Sequence, residues 1–185
     1  MKFIPALCIL LLFSSAESCS QNSSSKTHLK VVIIRHAEKP ELGDNLCPMG
    51  QNRALALPAV LDTVTGVPDF TYIPKLNTGK ATSRVRMLQT ITPFAIKHNL
   101  TLNSSFKEGD VDEAAADITK KAGVVLMVWE HSNIPALAKA LGIKGKLKWN
   151  KEDFDSIWII EFKNQSSGPT LRIEQENIKP KGDCK

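Results

Sequence analysis

Two apolar runs constrain the fold of this 185-residue sequence more than any other feature. Residues 29–34 read LKVVII, and residues 123–129 read GVVLMVW. Because strands covered on both faces are continuously apolar rather than alternating, both runs predict buried strands of a parallel sheet. Each run ends in ionisable residues, RHAEKP after the first and EH after the second. In such sheets ligands bind beyond the carboxyl ends of the strands, so both charged clusters are candidates for one site.

Strand and helix patterns alternate along the rest of the chain. Helices are predicted at 50–64, 82–99, 110–122 and 132–142, and further strands at 69–74, 100–103, 154–162 and 168–176. The alternation predicts an α/β fold, a three-layer α/β/α sandwich with a mostly parallel central sheet. Thr82 or Ser83 is the predicted N-cap of the second helix, and Gly142 the predicted end of the fourth. The last two strands, joined by the turn NQSSG, are expected to form a hairpin.

The first 18 residues have the pattern of an export signal. Lys2 precedes an apolar run from Phe3 to Phe13, and the small residues Ala16 and Ser18 suit a cleavage site. The run is shorter than the roughly 20 residues that span a bilayer, although an uncleaved anchor is an alternative. The remaining chain is predicted to be a flexible tether at 19–28 and one domain at 29–180.

Cleavage after Ser18 leaves Cys19 first, followed by a polar stretch, which resembles the lipid-bearing cysteine and tether of a bacterial lipoprotein. Ala16 stands where such proteins usually have leucine. A periplasmic protein lipid-anchored at Cys19 is therefore expected, with simple secretion as the alternative. An oxidising compartment permits Cys47 and Cys184 to pair, but the sequence does not decide this. The wide cysteine spacing disfavours a zinc-cysteine site, and no metal is predicted.

The net charge of +5 suits an anionic substrate or a solvated basic face. The charges are scattered and aromatic residues are few, which argues against a nucleic-acid surface. Two histidines and two arginines are expected to converge at one sheet edge: Arg35, His36, His131 and either Arg84 or Arg86. Arginine matches phosphoryl oxygens, and a neutral histidine can attack phosphorus, so the chemistry indicated is phosphoryl transfer.

Three ordered stretches carry a family resemblance: RHAEKP (35–40), RMLQT (86–90) and EHSNIP (130–135). They resemble the motifs of the histidine phosphatase superfamily, which has the phosphoglycerate-mutase-like fold, and the resemblance extends over residues 29–162. It implies that His36 is transiently phosphorylated and that Arg35, Arg86 and His131 bind the phosphoryl group. Arg84 is the alternative to Arg86.

The resemblance also bears on the proton donor. Ser132 follows His131, whereas the acid-phosphatase branch of the family has aspartate at this position. The proton donor is therefore expected between Arg86 and His131, as in the other branch. Glu108 is the chosen candidate, with Asp110 and Asp112 as rivals. Glu38 is expected to orient the first motif, and Asn45 and Lys80 are candidates for lining the substrate pocket.

The short segment between residues 103 and 123 leaves room for only a small cap, which favours hydrolysis over mutase chemistry. The predicted function is a metal-independent phosphohydrolase that acts on small-molecule phosphate monoesters and uses no cofactor. A non-catalytic phosphate-binding or interaction module is the alternative, followed by a phosphomutase. The sequence discloses neither the substrate nor the oligomeric state.

Overall fold

The computed structural model describes residues 28–162 and 168–185, which form a six-stranded sheet flanked by helices. The strands are β1 (Leu29–Arg35), β2 (Phe70–Tyr72), β3 (Leu102–Asn103), β4 (Gly123–Trp129), β5 (Ser156–Phe162) and β6 (Thr170–Gln175). The helices are α1 (Pro48–Val64), α2 (Arg86–His98), α3 (Val111–Ile118) and α4 (Ile134–Ala140). The predicted α/β fold is confirmed.

The strand order is β3-β2-β4-β1-β5-β6. The first four strands in this order are mutually parallel, whereas β5 runs antiparallel to β1, and β6 antiparallel to β5. In the register of β1 with β4, Leu29 lies opposite Gly123 and Arg35 lies opposite Trp129. The two central strands therefore end level with each other, and the residues that follow them meet at one edge.

Side chains of β1 alternate between two hydrophobic cores. Val31 and Ile33 pack on the side of α3 and α4, with Ile118 and Leu137 among their neighbours. The opposite face packs against α1 and α2, and its core includes Val32, Ile34, Leu57, Leu61, Ile91 and Phe94. Burial on both faces explains why the run VVII shows no polar alternation.

The start of α2 differs from the prediction. The helix begins at Arg86 with Val85 as its N-cap, so the expected N-caps Thr82 and Ser83 were wrong. Ser83 instead forms a two-way backbone pair with Asn77, which closes a small loop. Arg84 follows with a positive φ of 61°, a left-handed conformation that cannot continue into a right-handed helix. Residues 82–85 therefore belong to the loop.

Other element predictions hold with shifted ends. The helix α1 runs through Pro58, and α3 ends at Ile118, four residues before the predicted end at residue 122. Past α4, Gly142 adopts a φ of 98°, as expected of a residue that ends a helix. The hairpin of β5 and β6 is confirmed, although most of its NQSSG turn lies outside the described residues. No helix in the described part is long and apolar enough to cross a bilayer.

The C-terminal segment returns to the start of α1. Cys184 forms a disulfide with Cys47, the residue that precedes the helix. The carbonyl of Lys181 accepts a hydrogen bond from the Asn52 side chain at 2.9 Å. The segment is thereby fixed beside the loop that follows β1. The predicted signal at 1–18, the lipidation at Cys19 and nearly all of the tether lie outside the described residues.

Candidate active site

His36 is held in one tautomer directly after β1. Its side chain is 1 % exposed, and Nδ1 lies 2.6 Å from the carbonyl oxygen of Ala37. Because a carbonyl can only accept, Nδ1 must donate, and in the neutral ring Nε2 keeps its lone pair. Among the described residues Nε2 has no hydrogen-bond partner of good geometry. His36 is therefore prepared to act as a nucleophile through Nε2.

Arg35 is buried beside this histidine. Its Nη1 donates to the carbonyls of Lys151 at 2.6 Å and Asp153 at 3.0 Å, and its guanidinium stacks 3.7 Å above the centre of the Phe154 ring. Burial lowers its pKa to about 10, although Glu130 and Asp153 oppose the shift. Nε finds no hydrogen-bond partner in the described part of the chain. The group is charged at neutral pH and has a donor left for an anion.

His131 completes the central group from the end of β4. Its Nδ1 lies 3.3 Å from Nη2 of Arg35. Burial, followed by the charge of Arg35, lowers the His131 pKa below its ordinary value, although Glu130 opposes the shift. The neutral ring is favoured near pH 7. Arg35, His36 and His131 therefore meet as the sequence analysis predicted.

Glu130 is the site residue that sequence reasoning missed. Its Oε2 lies 3.2 Å from Nε2 of His36, and its Oε1 contacts Nδ1 of His131. Burial alone would raise the Glu130 pKa, but the contact with His36, together with the electrostatic effect of His36, His131 and Arg35 around it, lowers it to about 2. An ionised carboxylate thus lies between the two histidines. The one available signal was its position directly before His131 at a strand end.

Arg86 is the first residue of α2, and its side chain points to the loop after the first motif. Its Nε donates to the carbonyl of Asn45 at 3.3 Å, and Nη2 contacts the carbonyl of Gly43. One turn later, the Thr90 hydroxyl accepts a hydrogen bond from the backbone N–H of Ala37 at 2.9 Å. This end of α2 therefore abuts the first motif, but the Arg86 guanidinium holds the loop instead of joining Arg35.

The pocket candidates Asn45 and Lys80 are placed differently. The Asn45 side chain accepts a hydrogen bond from Nε2 of Gln89 at 2.7 Å, which ties the loop to α2. Lys80 is exposed within the small loop that Asn77 and Ser83 close. Asn45 thus has a structural contact at the site, whereas Lys80 lies on a surface loop.

Of the three candidate proton donors, Glu108 has the contacts that fix it near the strand end. Its backbone carbonyl accepts a hydrogen bond from Nε1 of Trp129 at 2.9 Å, and its Oε1 lies 3.3 Å from Nη2 of Arg84. The Asp110 carboxylate accepts a hydrogen bond from the backbone N–H of Lys107, and Asp112 is exposed in the first turn of α3. Arg84 therefore holds the Glu108 carboxylate in place.

Glu38 fixes the loop of the first motif through a buried ion pair. Arg53 on α1 donates from Nε to both Glu38 oxygens, at 2.9 and 3.0 Å, and from Nη1 to Glu176 at 2.7 Å. Burial raises the Glu176 pKa to about 8 despite Arg53. A Cβ on Gly50 would lie 2.1 Å from the Glu38 carbonyl oxygen, so only glycine fits this contact. The network joins α1, the first motif and the C-terminal segment.

An open cleft of about 540 Å³ lies over Arg35 and His131. Its lining includes Arg35, His131, Lys151, Phe154 and Cys184 of the disulfide. A buried histidine whose Nε2 has no hydrogen-bond partner of good geometry among the described residues, next to an arginine whose Nε is likewise unpaired there, can bind and attack a phosphoryl group once Glu130 turns aside. The site also contains the set His36, Glu130 and His131, whose potential metal-ligand atoms lie within 4.8 Å of one another.

Comparison with known proteins finds solved structures with a similar fold. No family model matches the sequence, and no curated protein matches it. Among solved structures, a mycobacterial glucosyl-3-phosphoglycerate phosphatase with inorganic phosphate is 12 % identical, with a TM-score of 0.55 over 81 % of this chain and 99 % of that one. The protein histidine phosphatase SixA with tungstate is 15 % identical, with a TM-score of 0.58 over 80 % and 97 %.

A third structure, described as an α-ribazole-5′-P phosphatase from Escherichia coli, is 14 % identical, with a TM-score of 0.58 over 80 % of this chain and 96 % of that one. At such identities the likeness concerns the fold. The structural neighbours are members of the histidine phosphatase superfamily, and this chain shares their α/β fold with its six-stranded central sheet.

Proposed function

We propose that the protein is an exported phosphohydrolase that cleaves phosphate monoesters through a phosphohistidine on His36 and needs no metal ion. The observation that carries the proposal is the state of His36. Its ring is buried at the end of a central strand, its Nδ1 is committed to the Ala37 carbonyl, and its Nε2 lies 3.2 Å from Glu130, which also contacts His131.

The first step transfers the phosphoryl group to the protein. Nε2 of His36 forms a bond to phosphorus while the bond from phosphorus to the ester oxygen breaks. Glu108, in its acid form, gives its proton to the departing oxygen. The free Nε of Arg35 and the ring of His131 bind the phosphoryl oxygens and offset their charge. For Arg86 to bind the phosphoryl group as well, it would have to leave the carbonyls of Gly43 and Asn45 that it contacts here.

The second step restores the enzyme. The Glu108 carboxylate takes a proton from water, the water oxygen attacks phosphorus, and the bond between phosphorus and Nε2 breaks. Inorganic phosphate leaves, and His36 returns to its neutral form. All protons and bonds balance with water as the co-substrate, and no further cofactor enters the scheme.

The structural neighbours support this chemistry at the level of the superfamily. Those compared above are described as phosphatases, and two of them were solved with inorganic phosphate or tungstate. Both ligands are tetrahedral oxyanions. The open cleft over Arg35 and His131 suits a small phosphate ester and gives a bound intermediate little shelter from water, which favours hydrolysis over phosphomutase transfer.

Export rests on different observations. The pattern of residues 1–18 is that of a signal peptide, and Cys19 is the proposed site of lipid attachment in the periplasm. The Cys47–Cys184 disulfide is consistent with an oxidising compartment. Secretion without a lipid remains the alternative form of this proposal.

A second candidate is a phosphate-binding module without efficient turnover. One observation favours it: the Glu130 carboxylate lies 3.2 Å from Nε2 of His36, where an incoming phosphoryl group must approach. If this carboxylate never turns away, the site binds anions weakly and does not react. The two candidates therefore differ in turnover rather than in the residues that form the site.

The test is an assay of purified protein against a panel of phosphate esters in the presence of EDTA. The proposal predicts phosphate release that EDTA does not abolish and that His36→Ala eliminates. His98→Ala is the matched control, because His98 pairs with Asp62 between α1 and α2, away from the site. Activity that persists in His36→Ala, or that vanishes with EDTA, contradicts the proposal. Phosphate binding without hydrolysis of any ester favours the second candidate.

A further inference from the structure

Three side chains that can bind a metal ion lie close together: His36, Glu130 and His131. Each offers one ligand atom, and these atoms lie within 4.8 Å of one another, with 3.2 Å between Nε2 of His36 and Oε2 of Glu130. Zinc binds imidazole nitrogen and carboxylate oxygen at about 2.0–2.2 Å, so neighbouring ligands of a tetrahedral ion lie about 3.4 Å apart. Small side-chain adjustments would therefore bring all three ligands onto one ion.

The chemistry of the triad also suits a cation of the zinc type. Two imidazoles and one carboxylate are intermediate ligands, which favour zinc over magnesium or calcium. Nε2 of His36 is buried and has no hydrogen-bond partner of good geometry in the described part of the chain. A carboxylate directed at that unpaired nitrogen, with a second imidazole on its other side, is an arrangement that a bound cation would complete.

We propose that this triad binds Zn²⁺ and that the bound ion inhibits the phosphohydrolase. The inhibitory part rests on the proposed function, whereas the binding part does not. Zinc and phosphorus compete for the same electron pair on Nε2 of His36, so a histidine that ligates the ion cannot attack a phosphoryl group. The ion would also hold the Glu130 carboxylate at the place that the substrate must enter.

One group opposes the ion. Arg35 lies 3.3 Å from Nδ1 of His131, and its positive charge repels a second cation. The negative charge of Glu130 offsets this positive charge. Nη1 of Arg35 also donates hydrogen bonds to the carbonyls of Lys151 and Asp153, which stabilise the guanidinium. We therefore expect affinity in the micromolar range rather than that of a structural zinc site, and hence reversible inhibition.

Binding is tested first, without reference to turnover. Isothermal titration of the full chain with Zn²⁺ is expected to show a site that Glu130→Gln weakens about tenfold or more, because an amide is a poor zinc ligand. His98→Gln is the matched control and keeps wild-type affinity. Imidazole NMR spectra are expected to shift for His36 and His131 but not for His28 and His98. Equal affinity in wild type and Glu130→Gln, or shifts only at His28 or His98, overturns the proposal.

Inhibition is tested next with an ester that the protein hydrolyses. Zn²⁺ is expected to abolish phosphate release at concentrations that match the titration, EDTA to restore it, and Mg²⁺ at equal concentration to have no effect. If Zn²⁺ binds at the triad and the protein keeps full phosphohydrolase activity, the inhibitory part of the proposal is wrong and the binding part stands. Absence of hydrolysis at any zinc level refutes the proposed function instead, and the titration still decides whether the site exists. Unchanged thermal unfolding of Glu130→Gln shows that lost binding does not reflect lost folding.

Discussion

The Glu130 carboxylate lies 3.2 Å from Nε2 of His36, the nitrogen that attacks phosphorus in the proposed mechanism. The same carboxylate contacts His131, and contact with His36 together with the surrounding positive charges lowers its pKa to about 2. A negative group thus lies where the proposed mechanism requires a phosphoryl anion to approach. Glu130 offsets the positive charge of Arg35 at the site, and the proposed mechanism requires it to turn aside when a phosphate ester binds.

Removal of this charge is expected to tighten anion binding. In Glu130→Gln the repulsion between carboxylate and phosphate disappears, so we expect the inhibition constant for inorganic phosphate to fall several-fold. Steady-state assays with phosphate as product inhibitor measure it. Glu41→Gln is the matched control, because Glu41 lines the rim of the same cleft but is exposed. Weaker phosphate binding in Glu130→Gln would contradict this role.

Glu108→Gln is expected to affect poor leaving groups most. General acid catalysis contributes about 10²–10⁴-fold, and an alkoxide needs the proton far more than a nitrophenolate does. The variant should therefore lose kcat/KM strongly with an alkyl phosphate and much less with p-nitrophenyl phosphate. Asp110→Asn and Asp112→Asn are the controls. Should one of these show the leaving-group dependence in place of Glu108→Gln, the donor has been assigned to the wrong carboxyl group.

Glu176 predicts a pH dependence of stability. Burial raises its folded-state pKa from 4.5 to about 8, so between these values the folded protein holds a proton that the unfolded chain has lost. The stabilising contribution is complete below pH 4.5 and disappears as the pH rises through 8. Relative to Glu176→Gln, the wild type should lose up to about 1.4 kcal/mol of unfolding free energy per pH unit in this window.

Urea unfolding at several pH values measures this difference between the two proteins. Glu113→Gln serves as the control, because Glu113 is exposed in the first turn of α3. A stability difference between wild type and Glu176→Gln that stays constant, or grows in favour of the wild type, between pH 5 and pH 8 would show that Glu176 is ionised beside Arg53 throughout.

Cys184→Ser is expected to lower the free energy of unfolding by about 2–4 kcal/mol, because the disulfide closes a long loop between the start of α1 and the C-terminus. The measurement is urea unfolding with and without a reducing agent. Reduced wild type should match the variant, and the variant should not respond to reduction. Equal stability of oxidised wild type and Cys184→Ser would mean that the C-terminal segment is held by its other contacts alone.

The central residues of the site could be predicted from the sequence, because the apolar pattern that marks the strands of a parallel sheet is local. Continuous apolar runs mark central strands, and the residues that follow them, such as His36 and His131, must meet at one edge. The tautomer of His36 and the stacking of Arg35 on Phe154 depend on packing and could not be derived from strand order. The same holds for the Cys47–Cys184 bond, which spacing alone left open.

The remaining differences arise where distant segments decide local structure. The positive φ of Arg84 follows from the closed loop before it, so helical periodicity misplaced the start of α2. Arg53 meets Glu38 and Glu176 only after the C-terminal segment has returned to α1. In the sequence Glu130 is one of several charged residues that follow a strand. Its contact with His36 could not be predicted, because the two residues follow different strands, β4 and β1.

The central claim is that His36 carries the phosphoryl group during turnover. The direct measurement is mass spectrometry of protein that is quenched rapidly during hydrolysis, under alkaline conditions that preserve phosphohistidine. We predict one phosphoryl group on the peptide that contains His36, absent in His36→Ala and present in His98→Ala. Phosphate release without phosphate on His36, or a phosphoryl group on another residue in the active wild type, would contradict the account.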